Sequence, residues 1–306
     1  MNSMLTLRTC SRLPTTLLLL CCLLPLPAFS QQQSAERSWH LGLALGQGER
    51  SNPLVGGEDI DIHYVIDFSW YGDRLFFDNG DLGYTLLTAR NLSLSALVTL
   101  NNERNYYNYL TGQQFGLQSI FDKGFIASIP VAPEAGVPKD ELTNSAHTTP
   151  EAIYNNQHTE LADRDSALNG GFEFLYISPY GDVQAQVLSD VSGTHDGQEA
   201  WLSWSHPWYT RNTELSLTLG LEWKSEQLVG YYFGVQPDES FVGRPTYEGA
   251  AGTNSFVRLA GRYNVSAHWT VVGMVEREFL SSAISASPIV NADAVDTFFT
   301  GLFYQF

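Results

Sequence analysis

EDIDIHYVIDFSW, residues 58–70, alternates apolar and polar side chains almost without interruption. Successive side chains of a β-strand point to opposite faces, so this period of two predicts a strand. One face would carry Ile60, Ile62, Tyr64, Ile66, Phe68 and Trp70. The other would carry Asp59, Asp61, His63, Asp67 and Ser69. The first face suits lipid and the second suits water, which indicates a strand in the wall of a membrane barrel.

The same alternation returns along the rest of the chain. Clear cases are NLSLSALVTL (91–100), DVQAQVLSD (182–190) and ELSLTLGLEW (214–223). Weaker cases bring the number of candidate strands to about twelve, which lies within the range of outer-membrane barrels. We therefore expect an all-β protein, a closed antiparallel transmembrane β-barrel of about 12 strands with a range of roughly 10–14. A secreted β-sandwich would alternate in the same way and is the alternative fold.

The links between the candidate strands alternate in length, as they do in outer-membrane barrels. If the first strand, near 38–46, runs outward, the long links lie outside the cell at 47–59, 102–170, 190–197, 225–253 and 280–295. The intervening links are short and turn-like: YGDR, TARN, SPYGD, HPWYTRN and NVSA. DNGD at 78–81 is the exception, because it is short on the external side. Residues 102–170 show neither the period of two of a strand nor the 3.6-residue period of a helix, and we expect a long external loop or a partial plug there.

The N-terminus predicts a secreted protein. Residues 1–30 combine two arginines, a leucine-rich stretch and a small-residue cleavage site, which together indicate a signal peptide cleaved before Gln31. A lipoprotein anchor at Cys21 or Cys22 is less favoured, since a leucine and a cysteine respectively precede them. All three cysteines lie in the leader, so we expect no disulfide in the mature chain. Residues 31–306 would form a single outer-membrane β-barrel domain.

Charge and hydropathy exclude two further classes of protein. The formal net charge is −17, which disfavours nucleic acid as a partner. No apolar run beyond residue 30 approaches the ~18 residues of a spanning helix. The mean hydropathy of −0.13 remains compatible with a barrel, whose lumen-facing positions are polar. Outer-membrane lipids and lipopolysaccharide would then surround the protein.

The last ten residues, TFFTGLFYQF (297–306), end the chain on an aromatic residue. Terminal segments exposed to water usually end in polar residues. Alternation places Phe298, Leu302, Tyr304 and Phe306 on one apolar face. We interpret these four residues as a signal read by the barrel-assembly machinery.

The titratable residues give no catalytic assignment. The seven histidines show no H-E-x-x-H or paired metal spacing, and G-x-S-x-G is absent. Asp59, Asp61 and His63 would share one strand face, either as a cation or acid–base cluster or as ordinary polar lumen positions. Four further charged residues fall on inner faces and could pair across a narrow lumen: Arg258, Arg262, Glu214 and Glu222. We expect a protein that is not an enzyme and that uses no cofactor or metal.

Several stretches resemble the MipA/OmpV family, the MltA-interacting outer-membrane proteins. They are WYGDRLFFDNGDLGYTLL (70–87), LVGYYFGVQPDES (228–240), RYNVSAHWTVVGMVEREFL (262–280), SPIV (287–290) and the ending GLFYQF. The residues taken as family motifs are Gly72, Asp73, Arg74, Gly83, Ser287 and Pro288. Residues 101–160 depart from the pattern, being longer than the family leads us to expect.

The resemblance implies a function at the cell wall. It implies a scaffold that links a lytic transglycosylase, a murein hydrolase, to a bifunctional penicillin-binding protein, a murein synthase. Protein partners would then contact the periplasmic turns, the segment 31–38 or the mouth of the lumen. The alternatives are a surface-exposed adhesin or antigen and a narrow small-solute channel, both of which would use the external loops.

Overall fold

Twelve antiparallel strands form the wall of a barrel in the computed structural model, which describes residues 38–101, 103–108, 161–162 and 164–306. The strands are β1 Ser38–Arg50, β2 Ile60–Tyr71, β3 Leu75–Asp78, β4 Asp81–Ala89, β5 Leu92–Leu100, β6 Leu168–Tyr176, β7 Asp182–Asp190, β8 Gln198–Tyr209, β9 Thr213–Lys224, β10 Gly252–Asn264, β11 Trp269–Phe279 and β12 Ala294–Gln305. Within the described parts of the links lie three short helices: α1 Asn105–Asn108, α2 Glu226–Phe233 and α3 Ser282–Ser285. The predicted fold class and strand number are confirmed.

The sheet closes because the first and last strands pair. Each strand is hydrogen-bonded to its neighbour in sequence, and β12 pairs with β1 from Thr297 opposite Arg50 to Gln305 opposite Gly42. The backbone N–H of Phe306 donates to the carbonyl oxygen of Leu41 at 3.0 Å. Because β1 and β12 pair, the sheet has no unpaired edge strand. A sheet that crosses a bilayer must close in this way, since the hydrocarbon core offers no water to unpaired backbone groups.

The two faces of the wall differ in exposure, with the period of two that the alternation predicted. On β12, Phe298 and Leu302 are exposed on the outside, whereas Phe299 and Phe303 are buried in the lumen. Leucine, valine, tyrosine and tryptophan side chains cover the outside of the other strands too. An apolar outer surface of this extent matches a lipid-facing wall.

The first strand considered above, β2, follows the prediction over only part of its length. Tyr64, Ile66 and Phe68 are exposed on the outside, as expected. Nearer the external end the faces exchange: Ile60 and Ile62 are buried, and Asp61 is exposed. The cause is a register shift between β1 and β2, at Leu45/Gly48, which moves the alternation by one residue. The prediction that Ile60 and Ile62 share the lipid-facing side is therefore wrong.

The links confirm the predicted alternation of lengths. On the expectation that β1 runs outward, we call the end with links 51–59, 101–167, 191–197, 225–251 and 280–293 the external end, and the end with turns 72–74, 90–91, 177–181, 210–212 and 265–268 the periplasmic end. The short link 79–80 reverses the chain in the same direction as the external links but does not reach that end. The turn predicted as HPWYTRN is shorter than expected, because β8 continues through Tyr209. The expected signal peptide and residues 109–160 of the expected loop or plug lie outside the described residues.

The short link at Asn79–Gly80 belongs to an unusually short strand. β3 has four residues and pairs with β2 only at Ser69, Trp70 and Tyr71. Asn79 and Gly80 have φ angles of 48° and 111°, which suits the tight two-residue turns of hairpins. The chain therefore reverses after a four-residue strand, close to the periplasmic end, and a tight turn at DNGD is enough to join β3 to β4.

Candidate functional site

The external end of the barrel carries an apolar core built from its own links. We call links 51–59, 103–108, 225–251 and 280–293 the cap. Its core consists of Leu54, Ile60, Tyr106, Tyr107, Leu228, Val229, Tyr232, Phe233, Val235, Ala283, Ile284, Ile289, Val290 and Val295. Segments far apart in sequence therefore fold together over the mouth of the barrel, and hydrophobic burial is the main force that holds them there.

Helix α2 is the centre of the cap. Ser225 caps its N-terminus, because the Ser225 hydroxyl accepts a hydrogen bond from the N–H of Leu228 at 3.4 Å. The helix stops at Gly234, whose N–H donates to the Gly230 carbonyl. Its buried side chains are Leu228, Val229, Tyr232 and Phe233. Spacings of three and four residues put these side chains on one helix face, which packs into the cap core.

Polar contacts fasten the cap at specific points. The Tyr107 hydroxyl donates to the carbonyl oxygen of Tyr232. The Ser287 hydroxyl donates to the carbonyl oxygen of Phe233 at 2.6 Å. Both contacts satisfy carbonyl groups at the C-terminal end of α2, which the helix itself leaves without partners.

A buried ion pair joins two further segments of the external end. Arg164 Nη1 lies 2.8 Å from Glu239 Oε1, and both side chains are almost completely buried. Glu239 also accepts from the backbone N–H groups of Ala162 and Gln236. Although burial raises the pKa of Glu239, the hydrogen bonds from Arg164 and from these N–H groups outweigh it and hold the pKa below its ordinary value. Glu239 is therefore an ionised anchor of the cap.

His195, in the link between β7 and β8, is buried against the same helix. Its ring lies 5.7 Å from the ring of Tyr232, and its Nδ1 accepts from the N–H of Gly197 at 2.9 Å. Burial lowers the pKa of His195, while the nearby Asp190 opposes this shift. The neutral imidazole, with its proton on Nε2, is the form that fits these contacts.

Beneath the cap, charged side chains of the wall form a compact network. Lys224 Nζ lies 2.6 Å from Glu103, 3.2 Å from Glu222 and 3.9 Å from Glu278. Arg50 pairs with Glu278 at 3.6 Å and donates to the Tyr106 hydroxyl at 2.5 Å. Glu103 and Tyr106 belong to the cap and the others to the strands, so the network ties the cap to the wall.

The middle of the lumen is filled by large side chains. One apolar cluster contains Ala44, Ile62, Val65, Ala260, Val272, Met274, Phe299 and Phe303. Beside it, the rings of Trp201 and Phe256 stack at 5.7 Å. A narrow lumen was expected from the charged residues of both signs at inward positions, and the structure shows that apolar and aromatic side chains also fill it.

The predicted pairing of charges across the lumen is wrong in its geometry. Arg262 lies 4.0 Å from Glu214 and Arg258 lies 2.5 Å from Glu276, in each case on adjacent strands at directly opposite positions. Glu222 pairs with Lys224 of its own strand. Neighbouring inward positions of a sheet are only about 5 Å apart, so lateral pairs form more readily than pairs across the barrel.

The cluster proposed at Asp59, Asp61 and His63 does not form on an inner face. All three side chains are exposed, because the register shift turns Asp61 outward and leaves Ile62 inside. Asp59 accepts from the N–H of Asn52 in the 51–59 link. Within the described ranges, no group of three His, Cys, Asp or Glu residues is arranged to hold a metal ion.

The residues taken as family motifs occupy two structural positions. Gly72, Asp73 and Arg74 form the β2–β3 turn, and a Cβ at Gly83 would collide with the Phe76 ring across β3 and β4. The nearby Asn79 side chain donates to Asp67, which also lies 2.8 Å from His40. Ser287 and Pro288 lie instead in the cap, where Ser287 contacts the end of α2. These contacts favour structural roles for the motif.

The four residues interpreted as an assembly signal lie on the lipid-facing side of β12. Phe298, Leu302 and Phe306 are exposed, and the Tyr304 ring contacts both Trp269 at 4.7 Å and Phe306 at 4.9 Å. The exposed Thr300 separates Phe298 from Leu302 on this face, and the aromatic contacts continue from Tyr304 to the last residue.

The turns of the periplasmic end are short and carry exposed side chains. They include Arg74, Arg90 and Arg211, all exposed, together with Tyr180, whose surface is 84% accessible. Arg74 was predicted only as a family-motif residue, and Arg90, Arg211 and Tyr180 were not predicted, although arginine in each of three short turns of an acidic chain was a visible signal. Helix α2 was also missed, despite the N-cap serine and helical spacing of SEQLVGYYFG (225–234).

Comparisons with known proteins agree with this architecture. The family model described as MltA-interacting protein MipA matches residues 41–306. The chain is 27% identical over 179 residues to the MltA-interacting protein of Escherichia coli K12, which covers 55% of this chain and 70% of that protein. It is 26% identical over 148 residues to the putative outer membrane protein YiaT of the same organism, covering 48% of this chain and 60% of the relative.

Among solved structures, the outer membrane protein OmpT of Vibrio cholerae aligns over 89% of this chain and 99% of its own, with 8% identity and a TM-score of 0.36. Among the described residues, no helix is long and apolar enough to cross a membrane.

The relatives named as outer-membrane proteins and the lipid-facing barrel wall locate this chain in the outer membrane. The family match extends over almost the whole barrel, from the fourth residue of β1 to the terminal phenylalanine. The chain belongs to the family of the MltA-interacting protein MipA.

Proposed function

We propose that the protein is a non-enzymatic scaffold that links a lytic transglycosylase to a bifunctional penicillin-binding protein during cell-wall growth. The observation that carries the proposal is the relationship to the MltA-interacting protein of Escherichia coli, of which 70% is matched. Murein lies on the periplasmic side of the outer membrane, so both enzymes would bind at the periplasmic end.

The distribution of structure between the two ends supports this role. At the external end, the described links pack into a cap with a buried core and buried ion pairs. At the periplasmic end, short turns present arginine and tyrosine side chains to solvent. Arginine and tyrosine are enriched at protein interfaces, whereas a packed lumen suits neither transport nor catalysis.

The titratable groups inside the barrel also fit a structural lumen. His40 is bonded to Asp67, Arg258 to Glu276, and Lys224 to a set of glutamates. Groups engaged in such pairs stabilise a fixed arrangement of strands. A catalytic site needs instead a nucleophile, base and acid converging on open space.

A retention experiment tests the scaffold. The protein is immobilised in detergent and exposed to a purified lytic transglycosylase and a purified bifunctional penicillin-binding protein from the same organism, separately and together. We expect each enzyme to be retained, and both together in one complex. An unrelated barrel on the same resin is the control, and retention of neither enzyme above that control would contradict the proposal.

A role as a surface adhesin or antigen is the second candidate. It is favoured by the tip of the Phe241–Arg244 hairpin in the cap, where Val242 is completely exposed and Phe241 is also exposed. The double variant Phe241→Ser, Val242→Asp would then reduce adhesion of whole cells by at least several-fold. Unchanged adhesion with wild-type amounts of protein at the surface would reject this role.

A narrow small-solute channel is the remaining candidate. The apolar cluster and the Trp201–Phe256 stack fill the middle of the lumen. Purified protein in planar bilayers should therefore show no large, stable conductance steps. Conductance steps as large as those of porins would instead support a role as a channel.

A further inference from the structure

The two ends of the barrel carry charge of opposite sign. Among the described residues, the external links contain ten carboxylates and three arginines. The periplasmic turns contain three arginines, Arg74, Arg90 and Arg211, and one carboxylate, Asp73. This excess of positive charge stands out in a chain with a formal net charge of −17.

The three periplasmic arginines are available for a partner. All three are exposed, and none takes part in an ion pair among the described residues. Arg90 and Arg211 have no acidic residue beside them in their turns, whereas Arg74 follows Asp73. The planar guanidinium group of arginine can donate two parallel hydrogen bonds to one carboxylate, which suits arginine better than lysine to ion pairs at a protein interface.

Tyr180 lies in the turn between those of Arg90 and Arg211, and its backbone is held firmly. The Trp204 indole donates to the carbonyl oxygen of Tyr180 at 3.1 Å. The hydroxyl of Ser178 donates to the carbonyl oxygen of Gly181 and accepts from the N–H of Tyr180. A fixed turn that exposes an aromatic ring loses little conformational entropy on binding, which is typical of interface hot spots.

Arg74, Arg90, Tyr180 and Arg211 lie on four consecutive turns, which we call the rim arc. Strands in a sheet are about 4.8 Å apart, so consecutive turns are separated by roughly 10 Å along the rim. The arc runs from the β2–β3 turn to the β8–β9 turn, so its four side chains surround one half of the periplasmic mouth of the barrel.

We propose that the rim arc docks an acidic face on the periplasmic domain of one of the two proposed partner enzymes. The inference rests on the proposed function, for which it names the contact surface and the chemistry of the partner. The aromatic residues that mark the lipid boundary, such as Trp269 and Tyr304, belong to strands. The rim arc lies in turns beyond the strand ends, which favours a protein over lipid headgroups.

The double variant Arg90→Glu, Arg211→Glu tests the proposal. Wild-type and variant proteins in nanodiscs are titrated with the purified transglycosylase and penicillin-binding protein at about 50 mM and 500 mM salt, in zwitterionic bilayers and in bilayers containing phosphatidylglycerol. We expect at least tenfold weaker binding of one enzyme at low salt, with a smaller difference at high salt, because the contact is electrostatic. The control Arg104→Glu, Arg277→Glu makes the same charge change at the external end and should leave binding unchanged.

Each other outcome has a defined meaning. If the wild type binds an enzyme and the rim variant binds equally well, the rim arc is not the docking surface, and the proposed function survives. If the wild type binds neither enzyme, the proposed function fails and this inference fails with it. A loss of binding confined to bilayers with phosphatidylglycerol would show that the arginines contact lipid, which also overturns the proposal.

Discussion

Replacing Leu228 by alanine should destabilise the cap without unfolding the barrel. Leu228 has an exposed fraction of 0% and lies on the buried face of α2, where the cap core surrounds it. Leucine-to-alanine changes at such sites cost about 2–5 kcal/mol, and we expect about 3 kcal/mol because neighbours from separate links cannot all close the cavity. The better helix propensity of alanine returns only a few tenths of a kcal/mol.

Hydrogen exchange measures this cost directly. A loss of about 3 kcal/mol raises the open population of the cap by roughly a hundredfold, so amides of α2 should exchange roughly a hundredfold faster. Amides in the middle of β10 and β11 should keep their protection, since both strands pair along their full length with neighbours on each side. Leu219→Ala, on the lipid-facing side of β9, is the control and should leave α2 unchanged. Unaltered exchange in α2, or equal acceleration in the strands, would refute a separately packed cap.

Three further predictions concern the cap and the barrel. Acid should loosen the cap, because folding lowers the pKa values of His195 and Glu239 from their ordinary values of 6.5 and 4.5. Each group contributes stability that is fully present above its ordinary pKa. This stability is lost as the pH falls towards the pKa of the group in the folded protein. Hydrogen exchange of the α2 amides, corrected for the intrinsic rate, should therefore accelerate below about pH 6.5. The variant His195→Asn should remove the acceleration that begins near pH 6.5 and keep the one that begins near pH 4.5. Exchange that does not change with pH in the wild type would contradict this prediction. Deleting Phe306 should lower the amount of assembled protein in outer-membrane fractions on immunoblots, and an undiminished amount would reject the assembly signal. Unboiled protein should migrate faster than boiled protein on SDS gels because a closed barrel resists detergent; equal mobility would argue against closure.

The wall of the barrel could be predicted from the sequence because its physical cause is local. A strand between lipid and a polar lumen must alternate residue by residue, as β9 does. The prediction failed at Ile60 and Ile62, where the register shift against β1 reverses the faces. That shift depends on the pairing of two strands, which a pattern within one strand does not contain.

The contents of the barrel were harder to predict because they depend on contacts between distant segments. Lys224 meets Glu103 across 121 positions of the chain, and Tyr107 meets Tyr232 across 125. The charged residues assigned to the lumen do face inward, but their partners are decided by strand register. Helix α2 is short and lies in a long link, so its serine cap and apolar spacing were concealed by the expectation of an unstructured loop.

Labelling of single cysteines on intact cells tests the orientation on which the whole account depends. The chain's three cysteines, Cys10, Cys21 and Cys22, all precede the expected cleavage site. A cysteine introduced after that site should therefore be the single thiol that the reagent can label. Val242 lies in the cap and is fully exposed, whereas Tyr180 lies in the rim arc. A membrane-impermeant maleimide should label Val242→Cys on intact cells and Tyr180→Cys only after the outer membrane has been permeabilised. Labelling of Tyr180→Cys on intact cells, with Val242→Cys protected, would contradict both the orientation and the periplasmic docking surface.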